Sequence, residues 1–150
     1  MPKALVVDDD ETIRDSLYEL LSESYQCQTA ETAEKAFARL EADSYDVVLT
    51  DISMPGLSGL ELLGHVRQKF PNTPVIIISG ISDQEHAQGL IRLGAFDFLL
   101  KPFSLDAVEK SVKRAVEYRR HLLEGEGPKE EPNEGKDTQT EANDWKIVRG

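Results

Sequence analysis

Five residues with reactive or metal-binding side chains stand directly after short apolar runs. Asp8 and Asp9 together follow the first run, Asp51 the third, Ser79 the fourth and Lys101 the fifth. If the runs are parallel strands, their carboxyl ends share one edge of a sheet, which is where open α/β sheets bind ligands. The spacing therefore predicts a site that combines carboxylates, a hydroxyl and an ammonium group.

Carboxylates gathered at one edge of a sheet need a counter-charge. Two of them about 4 Å apart repel by roughly 4 kcal/mol at an effective dielectric constant near 20. They must either hold protons or bind a hard cation, and Mg²⁺ suits two or three carboxylates with waters and a phosphate oxygen. A zinc site is not expected, because His65, His86 and His121 lie on predicted helices, facing solvent, with no cysteine cluster nearby.

The apolar runs alternate with amphipathic stretches five times along the chain. Apart from a weaker one at 26–30, the runs are rich in Val, Ile and Leu without alternation, which is typical of parallel strands covered on both faces. Between them, apolar residues recur at a spacing of three or four, which predicts helices. The predicted strands are 4–7, 26–30, 46–50, 75–78 and 98–100. This alternation predicts a doubly wound α/β sheet of five strands with five helices.

Polar residues and one glycine mark helix ends. Ser58 and Ser82 each precede a glutamate by three residues, which is the pattern of a capping box. Ser104 is placed to cap the last helix, and we interpret Asp10 as the cap of the first helix, not as a further metal ligand. Gly94 is placed to end the fourth helix.

The motifs at the strand ends resemble the receiver domain of bacterial two-component response regulators. The matching segments are LVVDD at 5–9, LTDISMPG at 49–56, ISG at 78–80, GAFDF at 94–98 and KPF at 101–103. The resemblance runs from residue 3 to about residue 121, in order and at normal spacing. It implies a flavodoxin-like (βα)5 fold.

The resemblance implies a phosphoryl acceptor and a metal site. Asp51 matches the acceptor of that family. Asp8 and Asp9 match the acidic pair that holds Mg²⁺, with Asp51 and the backbone carbonyl of Ser53 as the remaining protein ligands. Mn²⁺ is expected to substitute for Mg²⁺. An aspartate-nucleophile phosphatase is not expected, since it needs a second Asp where Ser53 stands.

The resemblance also implies a switch. Ser79 matches the hydroxyl that hydrogen-bonds the phosphoryl group, Lys101 the lysine that neutralises it, and Phe98 the aromatic that turns inward after Ser79 moves. A cis peptide bond is expected between Lys101 and Pro102. Apart from phosphoryl transfer onto itself and slow autodephosphorylation, no enzymatic activity is expected.

The partners implied by the resemblance are protein partners. The phosphoryl donor would be a sensor histidine kinase or a phosphotransfer protein. The face made by the fourth helix, fifth strand and fifth helix would change on phosphorylation, and a homodimer is expected there.

Composition narrows the functional class and the compartment. The 150 residues carry a net charge of −11, which argues against direct binding to nucleic acid or an anionic membrane. No apolar run approaches a membrane span or a signal peptide, so a cytoplasmic location is expected. Cys27 is the only cysteine, which rules out an internal disulfide and predicts a half-buried structural thiol.

The pattern of strands and helices stops near residue 123. We therefore expect a receiver domain at 1–123 and a disordered acidic linker or tail at 124–150, because 124–144 has almost no large apolar residue. The apolar cluster at 145–148 begins a further domain or forms a docking motif. The chain is accordingly the receiver portion of a larger transcriptional or other regulator, or a free-standing single-domain regulator.

Overall fold

The computed structural model describes residues 1–54, 56–80 and 84–125, and of residues 84–87 it describes the backbone only. The chain divides into two units, 1–116 and 117–150. The first contains the sheet. The described part of the second consists of the last turns of the C-terminal helix and a turn at Glu124 and Gly125. The predicted domain boundary at residue 123 stays a prediction.

Five strands alternate with five helices in the part of the chain that the structure describes, which confirms the predicted fold class. The strands are β1 (Lys3–Val7), β2 (Gln26–Ala30), β3 (Val47–Asp51), β4 (Val75–Ser79) and β5 (Asp97–Leu100). The helices are α1 (Glu11–Leu21), α2 (Ala33–Ala42), α3 (Gly59–Lys69), α4 (Gln84–Arg92) and α5 (Leu105–Leu123). The strands form one parallel sheet in the order β2-β1-β3-β4-β5, the flavodoxin-like winding.

The sheet is covered by helices on both faces, and its central strands are mostly apolar. Every residue of β3 and β4 is buried. Along β1, Leu5 and Val7 pack with α2, α3 and α4, while Ala4 and Val6 pack with α1 and α5. Two separate cores therefore hold the sheet in place, and its carboxyl edge lies between them.

The structure confirms the predicted helix ends that fall within the described residues. Asp10 caps α1 by accepting from the amides of Thr12 and Ile13. Ser58 and Glu61 form the capping box of α3. The hydroxyl of Ser104 accepts from the amide of Ala107 at 3.0 Å. The predicted cap at Ser82 lies outside the described residues.

Gly94 follows α4 with a φ of 108°, a conformation that favours glycine, as the sequence predicts. Thr32, which the sequence reasoning passed over, caps α2 by accepting from the amide of Lys35 at 3.1 Å. Cys27 is half-buried, and burial raises the pKa of its thiol to about 11, so it is the expected inert thiol.

The prediction that His65 faces solvent is wrong. Its ring stacks on Phe37 of α2 with centroids 4.3 Å apart, and its side chain is 26% exposed. The reason is that α2 and α3 lie side by side on one face of the sheet, and His65 lies on the side of α3 next to α2. His121 is exposed, and the side chain of His86 lies outside the described ones. Among the described helices, none combines the length and hydropathy that a bilayer span requires.

Candidate functional site

Three carboxylates meet at the carboxyl edge of the sheet. Val7 of β1 pairs with Thr50 of β3, so the next residues, Asp8 and Asp51, lie side by side. One oxygen of each of Asp8, Asp9 and Asp51 lies within 4.8 Å of the others. Asp8 and Asp51 are buried, at 1% and 6% exposure, whereas Asp9 is exposed. The structure thus assembles the predicted acidic cluster with an open side at Asp9.

The surroundings of Asp8 disfavour its ionised form. Its Oδ1 accepts a hydrogen bond from the amide of Asp10 at 2.9 Å, while its buried Oδ2 has no hydrogen-bond partner among the described residues. Burial raises the pKa of Asp8 to about 6, the nearby charge of Asp51 adds to this effect, and the amide of Asp10 and the ammonium of Lys101 oppose it. The ionised form of Asp8 would therefore be stabilised by a further positive charge at Oδ2.

The backbone of Asp8 is hydrogen-bonded on both sides of its Cα atom. Its amide donates to the carbonyl of Ala30 on β2 at 3.1 Å. Its carbonyl accepts from Nη1 of Arg14, one turn into α1, at 2.9 Å. Arg14 is a functional candidate that the sequence does not reveal. On an amphipathic helix, the sequence alone does not distinguish an arginine that contacts the site from one that faces solvent.

Lys101 places an ammonium group beside Asp51 and Asp8. Its Nζ lies 3.4 Å from Oδ2 of Asp51 and 3.9 Å from Oδ2 of Asp8. The peptide bond between Lys101 and Pro102 is cis, as the family resemblance implied. The side chain of Lys101 is 26% exposed, so it lies at the mouth of the cluster instead of beneath it.

Ser79 and Phe98 lie on neighbouring strands. Ser79 ends β4 and is fully buried, and its carbonyl accepts from the amide of Lys101 at 2.8 Å. Phe98 pairs with Ile77 in the β4–β5 ladder, and its half-buried ring packs against the core on the side of α2, α3 and α4. Ser53 is exposed, and its amide lies 3.5 Å from Oδ1 of Asp51.

Asp97, the first residue of β5, connects that strand to α5. One carboxylate oxygen accepts from the amide of Phe98 at 2.8 Å. The other accepts from the buried hydroxyl of Ser111 at 2.7 Å and from Nη2 of Arg114 at 2.6 Å. The sequence singles out Asp97 only as part of the GAFDF motif, because its partners on α5, Ser111 and Arg114, lie 14 and 17 residues away along the chain.

The residues at this edge fit a hard divalent cation. Oδ2 of Asp8, a buried carboxylate oxygen with no hydrogen-bond partner in the described part of the chain, lies beside a second buried carboxylate and an exposed third one, and all three supply oxygen ligands. Such a cation would occupy the space between them while the mouth at Lys101 admits an anion. The arrangement is able to bring an anionic group against Asp51 and neutralise its charge.

Comparisons with known proteins point to one family. The family model for the response regulator receiver domain matches residues 4–113. The transcriptional regulator NtrC of Salmonella typhimurium is 41% identical over 114 residues, which make up 75% of this chain and 24% of NtrC. The regulator DctD of Rhizobium meliloti, for C4-dicarboxylate transport, is 35% identical over 82% of this chain and 27% of its own length. The chain therefore spans about a quarter of the length of these curated relatives.

Solved structures agree with the sequence matches. A receiver domain from Clostridium thermocellum has a TM-score of 0.75 and 32% identity, and the match covers 82% of this chain and 99% of that one. NtrX from Brucella abortus has a TM-score of 0.78 and 37% identity, over 83% of this chain and 29% of NtrX.

Proposed function

The chain belongs to the receiver domain family of two-component response regulators, and on that premise we propose that it is a signalling switch phosphorylated on Asp51. Receiver domains of response regulators interact with histidine kinases, so a sensor histidine kinase or a phosphotransfer protein is the proposed donor. The observation that carries the proposal is the position of Lys101 Nζ, 3.4 Å from Asp51 Oδ2 and 3.9 Å from Asp8 Oδ2.

The proposed reaction transfers a phosphoryl group from a histidine to Asp51. A carboxylate oxygen of Asp51 forms a bond to phosphorus while the bond between phosphorus and the donor imidazole nitrogen breaks. The electron pair of the broken bond stays on the imidazole, which picks up a proton. Catalysis of phosphoryl transfer depends mainly on aligning the reacting groups and on neutralising their charge. Lys101 contributes to the second by pairing with the phosphoryl oxygens. The hydroxyl of Ser79 donates to another of these oxygens.

Mg²⁺ is the proposed cofactor, with Mn²⁺ as a substitute. Asp8, Asp9 and Asp51 would hold it, together with the backbone carbonyl of Ser53, and it would neutralise charge on the phosphoryl group. Oδ2 of Asp8 supports this proposal, because it is buried and accepts no hydrogen bond from the residues that the structure describes. Acting without a cation, Asp51 would have to approach a phosphate dianion beside a second buried carboxylate.

The proposed output is a change on one face of the domain. Once Ser79 is drawn to the phosphoryl group, Phe98 turns into the space that Ser79 leaves. The face formed by α4, β5 and α5 then differs between the two states, and it is the proposed site of a phosphorylation-promoted homodimer. Slow autodephosphorylation would reset the switch without any further enzymatic activity.

We further propose that the chain is the receiver portion of a larger regulator that works in the cytoplasm. Its relatives NtrC and DctD are transcriptional regulators about four times as long as the matched segment. In this arrangement the receiver itself contacts neither DNA nor membrane, in keeping with the net charge of −11.

Phosphorylation by acetyl phosphate tests the proposal. With Mg²⁺, intact-mass spectrometry should show the addition of one phosphoryl group that hydroxylamine removes, and EDTA should prevent the addition. Asp51→Asn should take up none. Asp106→Asn is the matched control, because Asp106 is an exposed aspartate paired only with Lys110 in the described structure. Substantial labelling of Asp51→Asn would refute Asp51 as the acceptor.

A further inference from the structure

Gly59, the first residue of α3, lies directly against the backbone of Asp51. A Cβ atom built on Gly59 would stand 2.2 Å from the carbonyl oxygen of Asp51 and 2.8 Å from the Cα of Ile52. Non-bonded heavy atoms in contact normally sit about 3.5–4.0 Å apart. No side chain fits at this position unless the backbone on one side of the contact moves.

The Asp51 side of the contact is held by two hydrogen bonds. The hydroxyl of Thr50, itself fully buried, donates to the carbonyl oxygen of Asp51 at 3.0 Å. The amide of Ile52 donates to the carbonyl of Ile78 on β4, also at 3.0 Å. The peptide that follows Asp51 is therefore oriented by the sheet, and its orientation sets where the carboxylate of Asp51 points.

The α3 side of the contact is held as well. The amide of Gly59 donates to the carbonyl of Ile52 at 3.0 Å, and the capping box of Ser58 and Glu61 fixes the first turn. Leu62 and Leu63, one turn further on, are buried in the core. A side chain at Gly59 would thus push two anchored segments apart, and one of them is the peptide that follows Asp51.

We propose that Gly59 is a positioning residue for phosphoryl transfer: by carrying no Cβ it allows α3 to seat against the carbonyl of Asp51. This contact between α3 and Asp51 sets the position of the Asp51 carboxylate relative to Asp8 and Lys101. The ammonium nitrogen of Lys101 lies 3.4 Å from Oδ2 of Asp51. The inference rests on the proposed function, since it concerns Asp51 as the acceptor. It adds a residue that touches neither the phosphoryl group nor the cation.

The same helix contains a matched control. Gly64 lies in the middle of α3, and a Cβ built there meets nothing within 4 Å. Replacing a helix-interior glycine by alanine stabilises a helix. Gly64→Ala should therefore raise the melting temperature without altering the site, and the double variant should offset any loss of stability that Gly59→Ala causes.

The experiment measures the initial rate of labelling by acetyl phosphate at saturating Mg²⁺, together with the melting temperature. We expect Gly64→Ala to label at the wild-type rate and to melt higher. We expect Gly59→Ala to label at least tenfold more slowly. The double variant should melt close to wild type and still label slowly, because added stability cannot reposition Asp51.

Each alternative outcome overturns the inference in a recognisable way. A Gly59→Ala variant that labels normally shows that α3 yields instead of Asp51. A double variant that regains the wild-type rate shows that Gly59 acts through stability, and variants that fail to fold in both backgrounds show that it serves the whole fold. A wild-type chain that takes up no phosphoryl group overturns the proposed function itself, whereas the other outcomes leave it intact.

Discussion

The backbone amide of Lys101 donates a 2.8 Å hydrogen bond to the carbonyl oxygen of Ser79. This bond continues the β4–β5 ladder one step beyond the pairing of Ser79 with Leu100. The hydroxyl and the ammonium that we assign to the phosphoryl group therefore sit on two directly bonded segments of backbone. We expect a backbone displacement at Ser79 to reach Lys101 through this hydrogen bond.

Removing the ammonium of Lys101 should slow phosphoryl transfer strongly. We expect Lys101→Met to lower the rate of labelling by acetyl phosphate by about a hundredfold, the usual cost of losing one group that stabilises developing charge. Lys101→Arg should recover little of the rate, because a planar guanidinium does not replace a compact ammonium. Lys110→Met, at an exposed ion pair on α5, is the control. Equal rates for Lys101→Met and wild type would contradict the role of Lys101.

Asp8 should make the metal-free protein less stable as the pH rises. Its pKa is about 6 in the folded protein against 3.8 for an ordinary Asp, so between these values the folded state binds more protons than the unfolded chain. Stability of the apo protein therefore falls from about pH 4 to about pH 6 and stays low above that range. Asp8→Asn should remove this loss and stabilise the apo protein at neutral pH by on the order of 1–2 kcal/mol.

Urea unfolding in EDTA, repeated across the pH range, checks the Asp8 prediction. Asp9→Asn serves as the comparison, because Asp9 is exposed and a smaller gain is expected there. Added Mg²⁺ should stabilise the wild type more than Asp8→Asn, since the cation binds only the folded state. An apo Asp8→Asn variant that is less stable than wild type at neutral pH would contradict the prediction.

Arg14 should support Mg²⁺ binding through the peptide of Asp8. Because its guanidinium donates to the carbonyl of Asp8, the loss of Arg14 should loosen that residue. We expect Mg²⁺ binding to weaken about tenfold, since losing a residue that holds a metal ligand in place commonly lowers affinity on this scale. Calorimetric titration of the apo protein measures this directly. Arg14→Met and Arg14→Lys should both bind Mg²⁺ more weakly. Removal of positive charge alone would tighten binding, so a tighter Arg14→Met variant would show that Arg14 acts only as a charge.

The Asp97 cluster should contribute unequally through its two partners on α5. Asp97→Ala removes the acceptor of the Ser111 hydroxyl, which is 1% exposed, and we expect a loss of about 1–3 kcal/mol in the free energy of unfolding. Arg114 is largely exposed, so Arg114→Ala should cost about 0.5 kcal/mol or less. Urea unfolding separates the two values. A loss in Arg114→Ala as large as that in Asp97→Ala would place the stabilisation at the surface pair.

The fold and the core of the site could be predicted because both depend on local pattern. Four of the five strands contain continuous apolar runs, and each of these runs leads directly into a site residue at the edge of the sheet. Asp51 is an example: its place at the end of β3 follows from the four apolar and small residues before it. Capping residues such as Ser58 are equally local, since donor and acceptor lie within one turn.

Contacts between elements could not be predicted in this way. The role of Arg14 depends on the angle at which α1 leaves β1, and the close approach of Gly59 depends on how α3 returns to the end of β3. His65 was misjudged for the same reason, because only the packing of α2 against α3 brings Phe37 over its ring. Each of these needs the distance between two segments, which a one-dimensional pattern does not contain.

Two consecutive turns, closed by the side chains of Asp8 and Asp10, connect the acidic cluster to backbone amides of α1. Oδ1 of Asp8 accepts from the amide of Asp10, and Oδ1 of Asp10 in turn accepts from the amides of Thr12 and Ile13. We therefore expect a cation that binds Asp8 to alter the hydrogen bonding of the first turn of α1. In nuclear magnetic resonance, titration with Mg²⁺ should shift the amide signals of Thr12 and Ile13 and slow their exchange with solvent, although neither residue touches the ion.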